Sequence, residues 1–213
     1  NGSRESSLAL SLMGHPRYNV SGDISLNDAS ILPLSPDVRS EKGIYLSFQS
    51  VPEIPWIKLL EYLRTIYNIS EWKKNPEKKP LSSFVFRRYI EKICHELSLD
   101  VSFLDRDLYV WFSWGEKRKI ELLQIRLLDP NYIILDEVDA GLDIEAMRIL
   151  VSEITRLKDA GKGVILITHN FHLLDTITPD EILILQNGIL SESWGKEIIQ
   201  RIRNEGYTTR EKT

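Results

Sequence analysis

Hydrophobic and polar positions recur along this chain with two periods, which predict alternating strands and helices. Continuous or nearly continuous apolar runs at 44–49, 132–136 and 163–168 predict buried strands. Apolar residues at helical spacing predict helices at 6–13, 57–69, 84–97, 116–128 and 144–158, and weaker patterns predict strands at 23–27, 181–187 and 189–191 and a helix from 195. Strands that alternate with helices in this way are typical of α/β proteins with a mostly parallel sheet.

The region 52–115 interrupts this alternation. Pro52 and Pro55 break the strand pattern and predict a linker, which two predicted helices follow. Between those helices, the segment 71–80 is rich in lysine and proline and predicts a solvated loop. We therefore expect residues 52–115 to form a helical subdomain inserted into an α/β core.

Two adjacent carboxylates, Asp136 and Glu137, end the strand predicted at 132–136. Side chains that follow one another on a strand point to opposite sides, so the two groups can do different work. Open α/β sheets bind ligands at the carboxyl ends of their strands. In nucleotide hydrolysis the two tasks are holding Mg²⁺ and orienting the attacking water. Such a pair is more often a solvated strand end, so it does not identify a site alone.

Three motifs surround this strand in a fixed order. A helix-opening turn precedes it, an acidic Gly-Leu-Asp turn follows it, and the next strand ends at His169. The motifs read Phe112-Ser113-Trp114-Gly115-Glu116-Lys117 and Val138-Asp139-Ala140-Gly141-Leu142-Asp143. Their order resembles that of ABC-type ATPases.

Further stretches narrow the resemblance to the Suf-type iron–sulfur cluster assembly ATPases, the SufC family. The Phe-Ser-x-Gly-Glu-Lys form of the signature differs from that of most ABC transporters, which have Leu and Gln at its ends. The other matching stretches are Met13–Tyr18, Ser35-Pro36-Asp37, Lys42-Gly43, Phe48-Gln49, Val51-Pro52-Glu53-Ile54-Pro55, Thr178-Pro179-Asp180 and Glu205-Gly206-Tyr207.

The resemblance implies an α/β fold of the P-loop NTPase type. It predicts one ABC ATP-binding domain over 1–213, with a mostly parallel sheet, a helical subdomain at about 52–115, and N-terminal strands missing ahead of Asn1. It implies an ATP-binding and ATP-hydrolysing subunit of a cytosolic iron–sulfur assembly complex, using ATP and Mg²⁺. The implied partners are SufB- and SufD-like scaffold proteins and a second ATPase copy, joined in an ATP-dependent dimer.

The resemblance also implies a role for each site residue. Glu137 orients the attacking water, while His169 and Gln49 sense the γ-phosphate, and the metal is held by Asp136, Ser6 and Gln49. Nucleotide contacts are implied for the phosphate loop Asn1, Gly2, Ser3, Arg4, Glu5, Ser6 and Ser7, for the signature residues Ser113, Trp114, Gly115 and Glu116, and for Asp143. Without the resemblance, Asn-Gly-Ser before a helix is a capped helix start.

Two phosphate-loop positions depart from the family pattern. Arg4 stands where the loop needs a glycine, and Glu5 stands where it needs a lysine. At ~4 Å and an effective dielectric near 20, a unit charge contributes about 4 kcal/mol, and Glu5 reverses its sign. We therefore expect the chain as written to bind ATP poorly.

Four of the five tryptophans fall where the family favours glycine: Trp56, Trp111, Trp114 and Trp194. Glycine and tryptophan differ most in size and in backbone freedom. Four independent replacements of this kind would disrupt tight loops. A single cause is more economical, namely that the source reads the UGA codon as glycine.

Bulk properties exclude several classes of protein. The net charge of −4 gives no basis for a nucleic-acid surface, and no apolar run approaches the ~18 residues of a membrane span. The one cysteine, Cys94, excludes an internal disulfide, fits a reducing cytosol, and is expected to be a small buried residue rather than a cluster ligand. Two rival functions stay open, an ABC transporter's ATP-binding subunit and a non-catalytic scaffold subunit.

Overall fold

The computed structural model describes residues 5–48, 51–186 and 188–193. Predictions for Asn1, Gly2, Ser3, Arg4, Gln49 and Trp194, and for the helix from 195, fall outside these residues. The helices are α1 (Glu5–Leu12), α2 (Pro36–Glu41), α3 (Leu59–Lys74), α4 (Ser83–Glu96), α5 (Trp114–Leu128), α6 (Ile144–Asp159) and α7 (Phe171–Thr176), with a 3₁₀ helix at Val101–Asp105. The strands are β1 (Ser25–Leu26), β2 (Ala29–Ser30), β3 (Ile44–Ser47), β4 (Ile54–Lys58), β5 (Asp107–Leu108), β6 (Tyr132–Asp136), β7 (Gly163–Ile167), β8 (Ile182–Gln186) and β9 (Ile189–Ser193).

A parallel sheet in the order β3-β6-β7 forms the centre of the molecule. Strand β6 is buried on both faces, as its apolar run predicts. Ile133 and Leu135 pack into the core that also contains the insert helices, α5 and α6. Ile134 packs on the opposite face, against Ala9 of α1 and Leu46 of β3. The predicted P-loop type of α/β fold is confirmed by the structural comparisons below.

The insert is helical but contains strands that the sequence did not predict. Strand β4 pairs with β5 in an antiparallel ladder, so Pro55 lies in a strand rather than in a linker. Proline is tolerated there because every residue of β4 is exposed, as at a sheet edge. Helix α3 also runs to Lys74, so the predicted loop 71–80 begins as helix; Glu71 stabilises this last turn through ion pairs with Lys74 and Lys78.

Cys94 is buried in α4, as expected, and its burial raises the thiol pKa to about 12. The weak strand pattern at 23–27 gives only the two-residue strand β1, which pairs with β2. Helices α2 and α7 were not predicted.

Helix α1 is held at its C-terminal end by the buried side chain of Arg39. The guanidinium donates hydrogen bonds to the carbonyl oxygens of Ser11 and Leu12, where an α-helix leaves acceptors unpaired. Gly14 turns the chain beyond α1 with a φ of +76°, and a Cβ there would lie 2.8 Å from Arg39 Cζ. Glycine is therefore required at this position for conformation and for space.

One side of the sheet carries uncovered apolar surface. A cavity of about 840 Å³ lies between α1, β7 and the hairpin β8–β9, and Leu8, Ile165 and Leu183 line it. Within 5–48, 51–186 and 188–193, no strand pairs with the outer edge of β7. In the same ranges, no helix is long and apolar enough to cross a membrane.

Candidate functional site

Asp136, the last residue of β6, lies at the point where the carboxyl ends of β6 and β7 meet the start of α1. Its side chain is buried, and burial raises the pKa of this carboxyl. A hydrogen bond from Ser6 opposes that rise, while the negative charges of Glu137 and Glu5 add to it. The structure thus brings the pair Glu5 and Ser6 close to the pair Asp136 and Glu137, about 130 positions away in the sequence.

One carboxylate oxygen of Asp136, Oδ1, is buried without a hydrogen-bond partner in the part of the chain that the structure describes. A buried charged oxygen in this state is costly unless a cation or a donor reaches it. A divalent cation bound beside Ser6 would satisfy it, so Asp136 and Ser6 fit Mg²⁺. No group of three His, Cys, Asp or Glu side chains in the described ranges could hold a metal. Mg²⁺ usually takes one or two protein carboxylates and completes its shell with water and phosphate.

Glu137 follows β6 and turns out of the strand. Its φ of +47° lies in the left-handed region, and its N–H donates to the carbonyl oxygen of Ile167 at 3.0 Å. Strand alternation therefore does not separate the two acids; the left-handed turn does. A non-glycine residue in this region costs about 1–3 kcal/mol.

His169 lies beside Glu137 at the ends of β7 and β6. Its Nε2 lies 3.4 Å from Glu137 Oε1 and 4.0 Å from Glu5 Oε1. The structure therefore places His169, Glu137 and the first turn of α1 in one cluster. Ser7 also lies on α1, where its Oγ is 3.5 Å from the hydroxyl of Tyr18.

The two loops that carry Glu137 and His169 are joined by Asp139 and Thr168. Thr168 Oγ1 donates to Asp139 Oδ2 at 2.9 Å and accepts from the N–H of Asn170. Sequence reasoning quoted both residues within motifs but gave them no role. Their positions, directly after β7 for Thr168 and three residues after β6 for Asp139, are the signal that could have found them, since the ends of parallel neighbours meet.

The signature residues form the start of α5, as predicted. Ser113 is the N-cap: its Oγ accepts from the N–H of Glu116, and its own N–H donates to Glu116 Oε2 at 2.7 Å. This capping box leaves further first-turn N–H groups available to an anion. A Cβ at position 115 would lie 3.8 Å from the Cβ of Ala146, so this turn packs beside the start of α6.

Asp143 caps α6 and accepts from the N–H of Ala146 at 2.7 Å. The structure therefore gives Asp143 a structural task, and its contact with nucleotide stays a prediction. Among the residues that the structure describes, no hydrogen bond or ion pair joins Asp143, or the first turn of α5, to the cluster around Asp136.

Glu5 lies at the site, in the first turn of α1. Its charge raises the pKa of Asp136, which places it within electrostatic reach of the metal-fitting carboxyl. Glu5, Asp136 and Glu137 together give the cluster three carboxylates.

Two of the tryptophans aligned with family glycines occupy backbone conformations that favour glycine. Trp56 has a φ of +73° and is 90% exposed, and Trp111 has a φ of +59° and is 86% exposed. A bulky residue at positive φ is an outlier. Trp114 differs, since it is the first residue of α5 and is half exposed, with the Arg118 guanidinium 5.5 Å from its ring.

No protein-family model matches the chain. Curated relatives match almost all of it. A protein named "Probable ATP-dependent transporter ycf16" from Antithamnion sp. is 39% identical over 209 residues, covering 97% of this chain and 82% of the relative. The protein of the same name from Cyanophora paradoxa is 36% identical, covering 97% and 80%. "Vegetative protein 296" of Bacillus subtilis is 34% identical, covering 97% and 78%.

Solved structures share the fold. A dimeric ATP-binding cassette in a post-hydrolysis state, bound to ADP and Pi, superposes with a TM-score of 0.72 at 17% identity, covering 91% of this chain and 82% of that one. The ATP-binding subunit of an ABC transporter gives a TM-score of 0.72 at 22% identity, covering 98% and 81%. The relatives and the fold agree with the site geometry at the ends of β6 and β7: the chain belongs to the ABC family of ATP-binding cassettes, in the group that includes the ycf16 proteins.

Proposed function

We propose that this protein is the ATP-hydrolysing subunit of a cytosolic Suf-type iron–sulfur cluster assembly complex. The observation that carries the hydrolytic part is the cluster at the ends of β6 and β7. In this cluster, the buried Oδ1 of Asp136 has no hydrogen-bond partner among the described residues. Beside it, His169 Nε2 lies 3.4 Å from Glu137 Oε1. One group can hold a metal while the other two reach a water and a phosphate.

The Suf-type part rests on two segments that differ from those of transporters, Val51–Pro55 and the signature. In the structure these segments touch, because Lys117 Nζ of the signature lies 3.1 Å from Glu53 Oε1. An exposed ion pair contributes little to stability, about 0–1 kcal/mol. Its interest is that it joins the two distinguishing segments on one surface, where a partner could read both.

In this proposal Asp136 and Ser6 hold Mg²⁺, which when bound neutralises charge developing on the phosphate oxygens. Glu137 orients the attacking water through its carboxylate, and His169 contacts the γ-phosphate. Thr168 and Asp139 hold the two loops in register. Gln49 completes the set, as the family resemblance implies.

The first turn of α5 would serve the nucleotide bound by a second copy, so ATP would join two copies with paired composite sites. In the chain as written, Glu5 would repel the nucleotide in its own half-site. Trp114 would place an indole where the partner's γ-phosphate approaches. We therefore propose that the chain with these residues is impaired in ATP binding. We define the restored chain as the protein carrying Arg4→Gly, Glu5→Lys and Trp114→Gly.

The test is Glu137→Gln in the restored chain. Hydrolysis of Mg-ATP should fall at least 10²-fold, as for loss of a group that acts only in the reaction, while ATP affinity stays within about threefold. The matched control is Glu145→Gln, an exposed glutamate on α6 that should leave turnover unchanged. Unchanged turnover in Glu137→Gln would reject the assignment.

A transporter subunit is the second candidate, because the ycf16 relatives carry the name of an ATP-dependent transporter. Affinity purification of the native complex separates the two proposals. SufB- and SufD-like scaffold proteins in the eluate support iron–sulfur assembly, and a membrane permease in their place supports transport.

A further inference from the structure

Helix α5 carries three polar side chains on one face, Arg118, Glu121 and Gln124, which we call the polar stripe. Their spacing of three residues places them one above another along the helix. All three are buried, with between 4% and 6% of each residue exposed. Arginine and glutamate are almost never buried this deeply unless they are paired.

The first two members of the polar stripe bind the end of β3. Ser47 Oγ donates to Glu121 Oε1 at 2.8 Å, and Arg118 Nη1 donates to the carbonyl oxygen of Phe48 at 2.9 Å. Arg118 also forms an ion pair with Glu121 and lies 3.3 Å from Ser47 Oγ. Phe48 is the residue directly before Gln49, so these contacts fix the chain where it leaves the sheet.

The third member of the polar stripe reaches the helical insert. Gln124 Nε2 donates to the hydroxyl of Tyr109, and the hydroxyl of Tyr62 on α3 donates to Gln124 Oε1 at 3.3 Å. The polar stripe therefore links three parts of the molecule: the end of β3, the signature helix and the insert.

Stability alone does not account for this arrangement. Burial raises the pKa of the Glu121 carboxyl even though Arg118 and Ser47 lower it. Replacing a buried ion pair by apolar side chains of similar volume is often neutral or stabilising. An apolar face on α5 could therefore replace the ion pair itself at little cost, but it would lose the directed bonds to Ser47 Oγ and to the Phe48 carbonyl.

We propose that Arg118 is a positioning residue, which fixes the end of β3 at Phe48 relative to the first turn of α5. Movement of α5 would then be transmitted to Phe48, which directly precedes Gln49 in the sequence. The kinetic consequence rests on the proposed function, whereas the mechanical link does not.

The test compares two double variants on the same helix. Arg118→Met with Glu121→Leu removes both charges and the bond to Phe48. The matched control, Arg126→Met with Glu153→Leu, removes another partly buried ion pair of α5, which faces α6. Hydrogen exchange of the 44–52 peptide should be at least about tenfold faster in the first variant and unchanged in the control. Equal exchange in the two variants would overturn the proposal.

Turnover in the restored chain gives the second readout. Loss of positioning should lower kcat for Mg-ATP by about 10–100-fold and leave KM within about threefold, since small displacements act on the reaction rather than on binding. A chain that binds no ATP at all would defeat the proposed function, and hydrogen exchange would still decide the role of Arg118.

Arg118→Lys covers the case in which the first double variant does not fold. In the parent, Nη1 of Arg118 makes the contacts to Phe48, Ser47 and Glu121. Lysine keeps the charge, but its shorter side chain ends short of the Nη1 position, so these contacts should weaken. Hydrogen exchange of the 44–52 peptide in Arg118→Lys should be faster than in the parent protein. Exchange and kcat that both equal those of the parent would count against the proposal.

Discussion

Replacing Trp56 and Trp111 by glycine should stabilise the fold, although each change removes a whole indole. Both residues hold positive φ, at +73° and +59°, which costs a bulky residue about 1–3 kcal/mol. The lost contacts are few, because the two residues are 90% and 86% exposed. At about 25 cal/mol per Å², burial of a tenth of ~250 Å² contributes only about 0.6 kcal/mol.

Glycine itself loses more backbone entropy on folding, at about 0.5–1 kcal/mol per site. The balance is a gain of about 0.5–1 kcal/mol at each position. Trp72 is the matched control, since it is 57% exposed but lies inside α3 at an ordinary helical φ. Trp72→Gly should destabilise the protein by roughly 3 kcal/mol, because glycine is a poor helix former and because the buried part of the Trp72 side chain, about 0.4 of ~250 Å², is lost.

Urea unfolding followed by far-ultraviolet circular dichroism measures these changes without relying on tryptophan emission. The midpoint should rise in Trp56→Gly and Trp111→Gly and fall in Trp72→Gly, with unchanged slopes. A fall of similar size in all three variants would refute the conformational argument. Sequencing the gene is an independent check of the codon hypothesis. We expect UGA codons at Trp56, Trp111, Trp114 and Trp194, and a UGG codon at Trp72.

Three more predictions concern the site. Glu5→Lys should tighten Mg-ATP binding at least tenfold in calorimetry, because it replaces repulsion by attraction across two charge units; affinity that stays the same would move Glu5 away from the phosphates. Asp136→Asn should abolish hydrolysis yet raise the urea midpoint at pH 7. The raised pKa of Asp136 means that its ionised form destabilises the fold, so this advantage should grow as pH rises through that pKa and vanish below about pH 4, where both side chains are neutral. Thr168→Val should lower kcat about tenfold by releasing Asp139, with Thr155→Val as a control on the exposed face of α6, and equal turnover in the two would contradict it.

Local patterns predicted the elements that hold the site. The run Ile133–Leu135 identified a strand buried on both faces, and Ser113 before Trp114 identified the start of α5. Asp136, Glu137 and His169 were predicted as site residues because they lie at or just beyond the ends of such strands. Each of these signals lies within a few residues of the feature that it predicts.

Long-range pairing produced most of what the sequence did not show. Strand β4 is stabilised by pairing with β5, which lies about 50 residues further along the chain. Local sequence does not show this partner, and Pro55 made the segment resemble a linker. The polar stripe was hidden for a related reason. Arg118 and Glu121 have the composition of a solvated helix face, but in the fold both are buried and both contact the end of β3. A sequence pattern cannot distinguish a polar face that meets water from one that meets another strand.

The register of the central sheet has a consequence for synthesis on the ribosome. Ile44 of β3 pairs with Tyr132 of β6, so β3 is complete about 90 residues before its neighbour exists. At about 5–20 residues per second, the nascent strand waits roughly 4–18 s with its edge unsatisfied. The insert lies between the two strands, and the contact of α3 with α4 is close in sequence, so these helices can form during the wait. The insert therefore delays the synthesis of β6 until well after that of β3, and its own helices can fold during that delay.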